Sequence, residues 1–406
     1  MTGGFRSSMA SALPAGGGAG SERRCSPSPR AIQFGDPTVH AKETIMKSIH
    51  WPRAMRIAGA LALILGLTTS PAWGEENASP PAPRVNTTTI DADGTAHITR
   101  VIPVPKTISR EAQKALAWSP PAHWPASIDV QRAGTDKFRE GRAEEARKLY
   151  PVNVEEKILG GVRTDVITPL AIPARKRGRV LINVHGGGFV TDSGSLVEGI
   201  PIANLTETKV VSVYYRLAPE HPFPAAVDDT IAVYKELLKT HKPRNVGLFG
   251  TSAGAVLTAE VAVELRRLGL PLPAALGMFS GLGDMSRSGD SEAFFTIWGL
   301  GGELKPPSQE SLESPYIGKH DLRDPVLSPL FADLKGFPPA LFVTSTRDIL
   351  LSGTTILHRA FLSAGVDAQL VVFEALPHAF WYDYRLPETK EALGLMAKFF
   401  NEKLGK

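Results

Sequence analysis

From about Val154 onward the chain alternates short apolar runs, rich in β-branched residues, with amphipathic stretches. The runs fall at 180–184, 210–214, 246–249, 275–279, 340–344 and 369–373. Between them, residues 224–239 place Val227, Ile231, Tyr234 and Leu238 on one helical face, and 253–268 do the same with Val256, Val263 and Leu265. Strands this short and this uniformly apolar are buried on both sides. Parallel strands need crossover connections, which the intervening helices supply. The pattern predicts an α/β fold with a mainly parallel central sheet flanked by helices. Residues 281–324, rich in Gly, Ser, Pro and aromatics, break the rhythm and read as an insertion after the 275–279 strand. There is no internal repeat.

Upstream the character differs. Residues 1–45 are rich in Gly, Ser, Pro and Ala without any periodicity, so no element is assigned to them. At Met46 a positive segment with Lys47, Arg53 and Arg56 leads into an apolar run from Ile57 to Leu67, followed by small residues at 70–74. That order predicts a signal peptide over 46–74, with translation starting at Met46 and export to the periplasm or the exterior. A retained membrane anchor is the alternative, but the run is short for a bilayer span. Residues 75–150 are expected to form an extended, Pro- and Thr-rich lead-in followed by polar helices between Ser109 and Tyr150, interrupted near Trp118 and Trp124. Residues 151–406 then make up the catalytic domain.

Composition narrows the function. Hydrophobic residues at 43% and charged residues at 21% argue against a fibrous or largely disordered chain. The single cysteine, Cys25, excludes an internal disulfide framework. Eight of the 45 Lys and Arg residues and three of the 41 Asp and Glu residues lie in residues 1–74, leaving 37 against 38 in the rest. The formal charge of +4 is therefore a property of the leader and does not point to nucleic acid. No metal-ligand spacing or dinucleotide fingerprint is present, so neither metal nor cofactor is expected.

Two motifs carry chemistry. Gly250-Thr251-Ser252-Ala253-Gly254 lies between the 246–249 strand and the 253–268 helix. A strand–turn–helix with glycines on both sides is the geometry of a nucleophile elbow, which lifts Ser252 above the sheet edge; a plain β–α turn is the alternative. His185-Gly186-Gly187-Gly188 directly follows the 180–184 strand. Consecutive glycines leave backbone N–H groups open to a substrate oxygen, and with the Ala253 N–H they form a candidate oxyanion hole. No Lys-Ser/Thr follows, which argues against a phosphate loop. Beyond Ser252 lie His320, His358 and His378. His320 falls in the insertion and His358 inside a helical pattern over 354–363. His378 follows the 369–373 strand in a loop, where a general base can reach back to the sheet edge. Asp348, just after the 340–344 strand, is the preferred acid over Asp284, since a right-handed crossover makes its strand the neighbour of the histidine strand.

These motifs, together with Tyr215-Arg216-Leu217-Ala218-Pro219-Glu220-His221-Pro222-Phe223-Pro224-Ala225-Ala226 and Asp228-Asp229, resemble the hormone-sensitive-lipase-like esterases of the α/β-hydrolase fold. The resemblance runs from about Leu181 to the C-terminus. It implies a carboxylic-ester hydrolase with triad Ser252, Asp348 and His378 and an oxyanion hole of Gly187, Gly188 and Ala253. His185 would be structural, and a helical cap would be built from the N-terminal helices and residues 281–324. Most relatives carry Asp before the nucleophile where this chain has Thr251, as in a subgroup with G-T-S-A-G; Ile349-Leu350 replaces the Pro-Leu that often follows the acid.

The expected partner is a small-molecule ester, with homodimerisation left open; nucleic acid and stable membrane insertion after processing are not expected. Amide, formamide or lactone substrates, or a non-catalytic ligand-binding homologue, remain alternatives, because fold and triad do not fix the bond attacked. Arg216 with Asp228 or Asp229 is expected to form a buried ion pair. Phe294, Phe295, Trp298, Trp381 and Tyr382 are candidates for pocket walls or for plain cap packing.

Overall fold

The computed structural model describes residues 87–116, 127–286, 289–295 and 314–405. The expected N-terminal extension, the signal peptide over 46–74, Trp118, Trp124, Trp298 and much of the 281–324 insertion lie outside the described residues.

In chain order, β1 (Thr87–Ile90) and β2 (Ala96–Thr99) form an exposed hairpin within the expected lead-in. The polar helical region resolves into α1 (Arg110–Ala115) and α2 (Ile128–Leu149), opened by Ser109 and Ser127, whose hydroxyls accept from the Ala112 and Val130 N–H groups. Then come β3 (Val152–Leu159), β4 (Val162–Pro169), β5 (Val180–Val184), α3 (Ser195–Thr206), β6 (Lys209–Val213), α4 (Ala225–Leu238), β7 (Val246–Thr251) and α5 (Ala253–Arg267). The chain closes with β8 (Ala275–Phe279), α6 (Asp290–Phe295), β9 (Ala340–Ser345), α7 (Leu351–Ser363), β10 (Ala368–Phe373) and α8 (Pro387–Lys403).

Eight strands form one sheet in the order β10-β9-β8-β7-β5-β6-β4-β3. From β6 to β10 every pairing is parallel, as the apolar runs predict, whereas β3, β4 and β6 pair antiparallel. The sequence reading gave no strand at β3 or β4. β3 is an edge strand with a mostly exposed, charged face, so it lacks the continuous apolar signature of its neighbours. α3 was equally unforeseen, because Gly199 and Pro201 interrupt its sequence with the two poorest helix formers.

Successive side chains of a strand face opposite layers. Ile182 and Leu248 enter a core with Val227, Leu257 and Phe361 from α4, α5 and α7. Leu181 and Phe249 enter the other, with Ile200 from α3 and Phe400 from α8. Phe249 and Phe400 pack with ring centroids 5.5 Å apart. Truncating the fully buried Phe400 to alanine costs about 3–5 kcal/mol in such a core. Because all six parallel strands run the same way, the loops after β5, β7, β8, β9 and β10 emerge at one edge, where α/β folds place their sites.

Candidate active site

Ser252 occupies the turn between β7 and α5 with φ 59° and ψ −123°, a backbone region that a non-glycine residue enters only under constraint. The constraint is visible on both sides. The Ser252 N–H donates to the Phe279 carbonyl at 2.9 Å, fixing the turn to β8. Neither flanking glycine has positive φ; both are needed because a Cβ at Gly250 or Gly254 would collide with the Val184 carbonyl oxygen of β5. Ala253 opens α5, so its N–H is among the donors that a helix leaves without an internal partner.

The glycine loop packs directly on this turn. A methyl group added to Gly186 would lie 3.3 Å from Ser252 Cβ. Gly187 and Gly188 take φ of 112° and 61°, and the Gly187 carbonyl accepts from the Val190 and Thr191 N–H groups at 3.1 and 3.0 Å, which folds the loop back on itself. His185 is buried below, stacked on Tyr215 with centroids 4.0 Å apart, its Nδ1 2.8 Å from the Gly186 carbonyl. It lies under the loop rather than in the open site.

After β10, His378 Nδ1 meets Asp348 Oδ1 at 2.9 Å. Asp348 is almost fully buried and accepts further bonds from Ser280 Oγ, from Thr344 Oγ1 at 3.1 Å and from the Leu350 N–H at 2.9 Å. Burial alone would raise this carboxyl, but the charge and hydrogen bond of His378, with the Ser280 and Leu350 donors, outweigh it and hold Asp348 below its ordinary value. The alternatives sit elsewhere. Asp284 accepts from the N–H and hydroxyl of Ser286 in its own turn. His320 packs against Phe223, and His358 Nε2 lies 3.3 Å from the Ala368 carbonyl.

Two arginines on α2 complete the site and escaped the sequence reading. Arg132 donates to the carbonyls of Val190 and Ala218, both at 2.9 Å, and pairs bidentately with Glu220. Arg139 reaches Asp192 at 3.0 Å. Asp192 also accepts the Gly194 and Ser195 N–H groups and the Ser195 hydroxyl, so it anchors the far end of the glycine loop. Burial pushes Asp192 up, yet the charges of His185 and Arg139 and the Ser195 bonds leave it lowered. Residues 132 and 139 are seven apart, two turns on one helix face, and that spacing was the available signal.

Two expectations change. Arg216 does bind Asp229 bidentately, but its side chain is 48% exposed, so the pair is not buried as expected, and burial raises Asp228 rather than a salt bridge lowering it. Trp381 and Tyr382 are buried and hydrogen-bonded beneath the site, to Thr251 and Glu198, instead of walling a pocket. Phe294 is exposed.

A family model described as an alpha/beta hydrolase fold matches residues 181–382. An acetyl-hydrolase of Streptomyces hygroscopicus is 34% identical over 240 residues, covering 57% of this chain and 79% of the relative. The crystal structure of an esterase, E25, superimposes with a TM-score of 0.66 at 32% identity, covering 75% of this chain and 98% of that one. An esterase from the bacterial hormone-sensitive lipase family does so with a TM-score of 0.60 at 30% identity, covering 73% and 99%. The chain belongs to the hormone-sensitive-lipase-like esterases of the α/β-hydrolase fold. It is a hydrolase acting on esters. In this esterase the Thr251 hydroxyl accepts the Trp381 indole N–H at 3.0 Å and so ties the histidine loop to the elbow.

Proposed function

We propose that this esterase cleaves small, short-acyl carboxylic esters through an acyl-enzyme formed on Ser252. Ser252 Oγ attacks the carbonyl carbon while His378 Nε2 takes its proton. Asp348 accepts the Nδ1–H, holding the tautomer and stabilising the imidazolium. The N–H groups of Gly187, Gly188 and Ala253 receive the oxyanion. Collapse expels the alcohol, protonated by His378; water, activated by the same imidazole, then releases the acid and restores the serine. The observation that carries this reading is the 2.9 Å His378–Asp348 bond, on a loop pinned by Trp381 to the residue preceding Ser252. The short-acyl preference draws support from relatives named acetyl-hydrolase and versiconal hemiacetal acetate esterase. We also propose that residues 46–74 direct export, with the mature N-terminus near Trp73 or Glu75.

The test is a panel of p-nitrophenyl esters of increasing acyl length, with matched amides and lactones, on wild type and Ser252→Ala. Acetate and butyrate esters should be fastest and Ser252→Ala inactive. Faster hydrolysis of long-chain emulsions or of amides would contradict the substrate assignment. N-terminal sequencing of exported protein checks the leader; a retained 46–70 segment in membranes would contradict it.

A further inference from the structure

One buried carboxyl has no part in the hydrolysis described above. Glu198 lies in α3, is 3% exposed, and has no cationic partner among its described contacts. Its two donors come from different segments. Asn183 Nδ2 reaches it at 3.1 Å from β5, two residues before the glycine loop begins. Tyr382 Oη donates to it from the 3₁₀ turn that follows the His378 loop. Trp381, the neighbour of Tyr382 in that turn, donates its indole N–H at 3.0 Å to the hydroxyl of Thr251, the residue before Ser252. The node itself is held still: Tyr384 Oη donates to the Val197 carbonyl at 2.6 Å, and the start of α3 is fixed by the Ser195–Asp192 bonds.

We infer that Glu198 and Thr251, linked to Trp381 and Tyr382, are positioning residues that set the nucleophile, the histidine loop and the oxyanion loop in mutual register. The inference rests on the Ser252–His378–Asp348 reading and deepens it. Burying a carboxyl is unfavourable, and a role of filling space would be served as well by an apolar side chain. What an apolar side chain cannot do is accept one bond from the strand that leads into the oxyanion loop and one from the turn that follows the histidine loop. Thr251 adds the link to the elbow, since its hydroxyl accepts from Trp381, the neighbour of Tyr382 in that turn.

The groups facing Glu198 are Asn183 from β5, Thr251 from β7, Tyr382 and Tyr384 beyond β10, Tyr215 beyond β6 and Asp192 from the glycine loop. Arg139 pairs with Asp192 rather than with Glu198. Desolvation accordingly pushes Glu198 up to about 8 in spite of its donors. A group titrating there gives the bridge a signature in the pH profile that packing alone does not have.

The experiment compares full-length wild type with Thr251→Val, Thr251→Ser, Tyr382→Phe and Ser252→Ala, using p-nitrophenyl acetate between pH 6 and 9.5. Valine keeps the shape of threonine and removes the bond from Trp381; serine keeps it. Thr251→Val should lose about 10- to 100-fold in kcat, the range expected for misplacing reacting groups by a fraction of an ångström to about one ångström, with KM within about twofold. Thr251→Ser should recover most of that loss, and the alkaline limb of the wild-type profile should move in Thr251→Val. A folded Thr251→Val with wild-type kcat and pH profile, or a Thr251→Ser no better than Thr251→Val, overturns the inference. Should Thr251→Val fail to fold, Tyr382→Phe, which loses one hydroxyl, decides by the same measures: unchanged kcat and profile overturn it. Ser252→Ala separates the two levels, because activity in that variant overturns the triad reading itself, whereas an inactive Ser252→Ala beside a normal Thr251→Val overturns only the bridge.

Discussion

Asp348 and Glu198 are both buried acids near the C-terminal edge of the same sheet, and their surroundings push them in opposite directions. Each accepts hydrogen bonds, and each meets a strong desolvation effect that favours the neutral form. Asp348 faces the imidazole of His378 and is held below its ordinary value. Glu198 faces hydroxyls, an amide and another acid, and is raised to about 8. The imidazole is the largest lowering influence on Asp348, and Glu198 has no counterpart to it among its described contacts. A carboxyl paired with an imidazole suits proton chemistry, whereas one surrounded by neutral donors suits the joining of loops.

The largest expected effect separates the two acids by rate. Asp348→Asn should fold and lose up to ~10⁴-fold in kcat, because the amide holds the imidazole in the wrong tautomer. Asp284→Asn, which alters only a local turn, should stay close to wild type on the same ester. Circular dichroism confirms the fold, and a near-normal Asp348→Asn would remove the contrast.

The next effect separates them by stability against pH. The folded-state value of Glu198 lies above its ordinary 4.5, so the folded state holds a proton that the unfolded chain has lost. Its contribution is complete below pH 4.5 and is lost as pH rises through about 8, on the order of 5 kcal/mol in all. Asp348 is lowered, so its contribution is present above the unfolded value and is lost as pH falls through the folded one. Denaturant unfolding of wild type and Glu198→Gln at pH 5, 6.5 and 8 should show wild type losing ground as pH rises. A constant difference would mean that Glu198 does not titrate in the folded protein.

A smaller effect concerns Arg139. Replacing it with methionine leaves Asp192 buried beneath the glycine loop without its guanidinium partner, which should cost about 2–3 kcal/mol of stability and lower kcat about tenfold. Urea unfolding and steady-state kinetics on one preparation check both. At the bottom of the scale, Lys148→Ala breaks an ion pair with Glu144 that is largely exposed on both sides, and it should leave the melting temperature unchanged within error.

How much of this was legible follows from where each residue sits. The strands from β5 to β9 were readable because burial on both faces forces continuous apolar runs, and β10, a partly exposed edge, because its run is still apolar. Ser252, Asp348 and His378 could be named as candidates because each stands just beyond such a run, and the structure places the two that meet, Asp348 and His378, at 2.9 Å. β3 was not readable, since an exposed antiparallel edge carries charges in place of a pattern, and β4, though mostly buried, has Arg163, Thr164 and Asp165 breaking its apolar run. Arg132, Arg139 and Glu198 were missed for another reason. Their partners lie tens of residues away, and a charged residue on a polar helix, or beside a glycine and a proline, looks the same in sequence whether it is solvated or buried. Trp381 and Tyr382 were recognised as important aromatics, yet their polar ends set their place.

The central claim is that Ser252 forms the acyl-enzyme with His378 as its base, and covalent trapping tests it most directly. Full-length protein treated with an alkyl fluorophosphonate should gain one adduct by intact mass, located at Ser252 by peptide mapping, with activity lost in proportion and labelling strongly slowed in His378→Ala. An adduct on another residue, or a folded Ser252→Ala that still hydrolyses p-nitrophenyl acetate, would contradict the account.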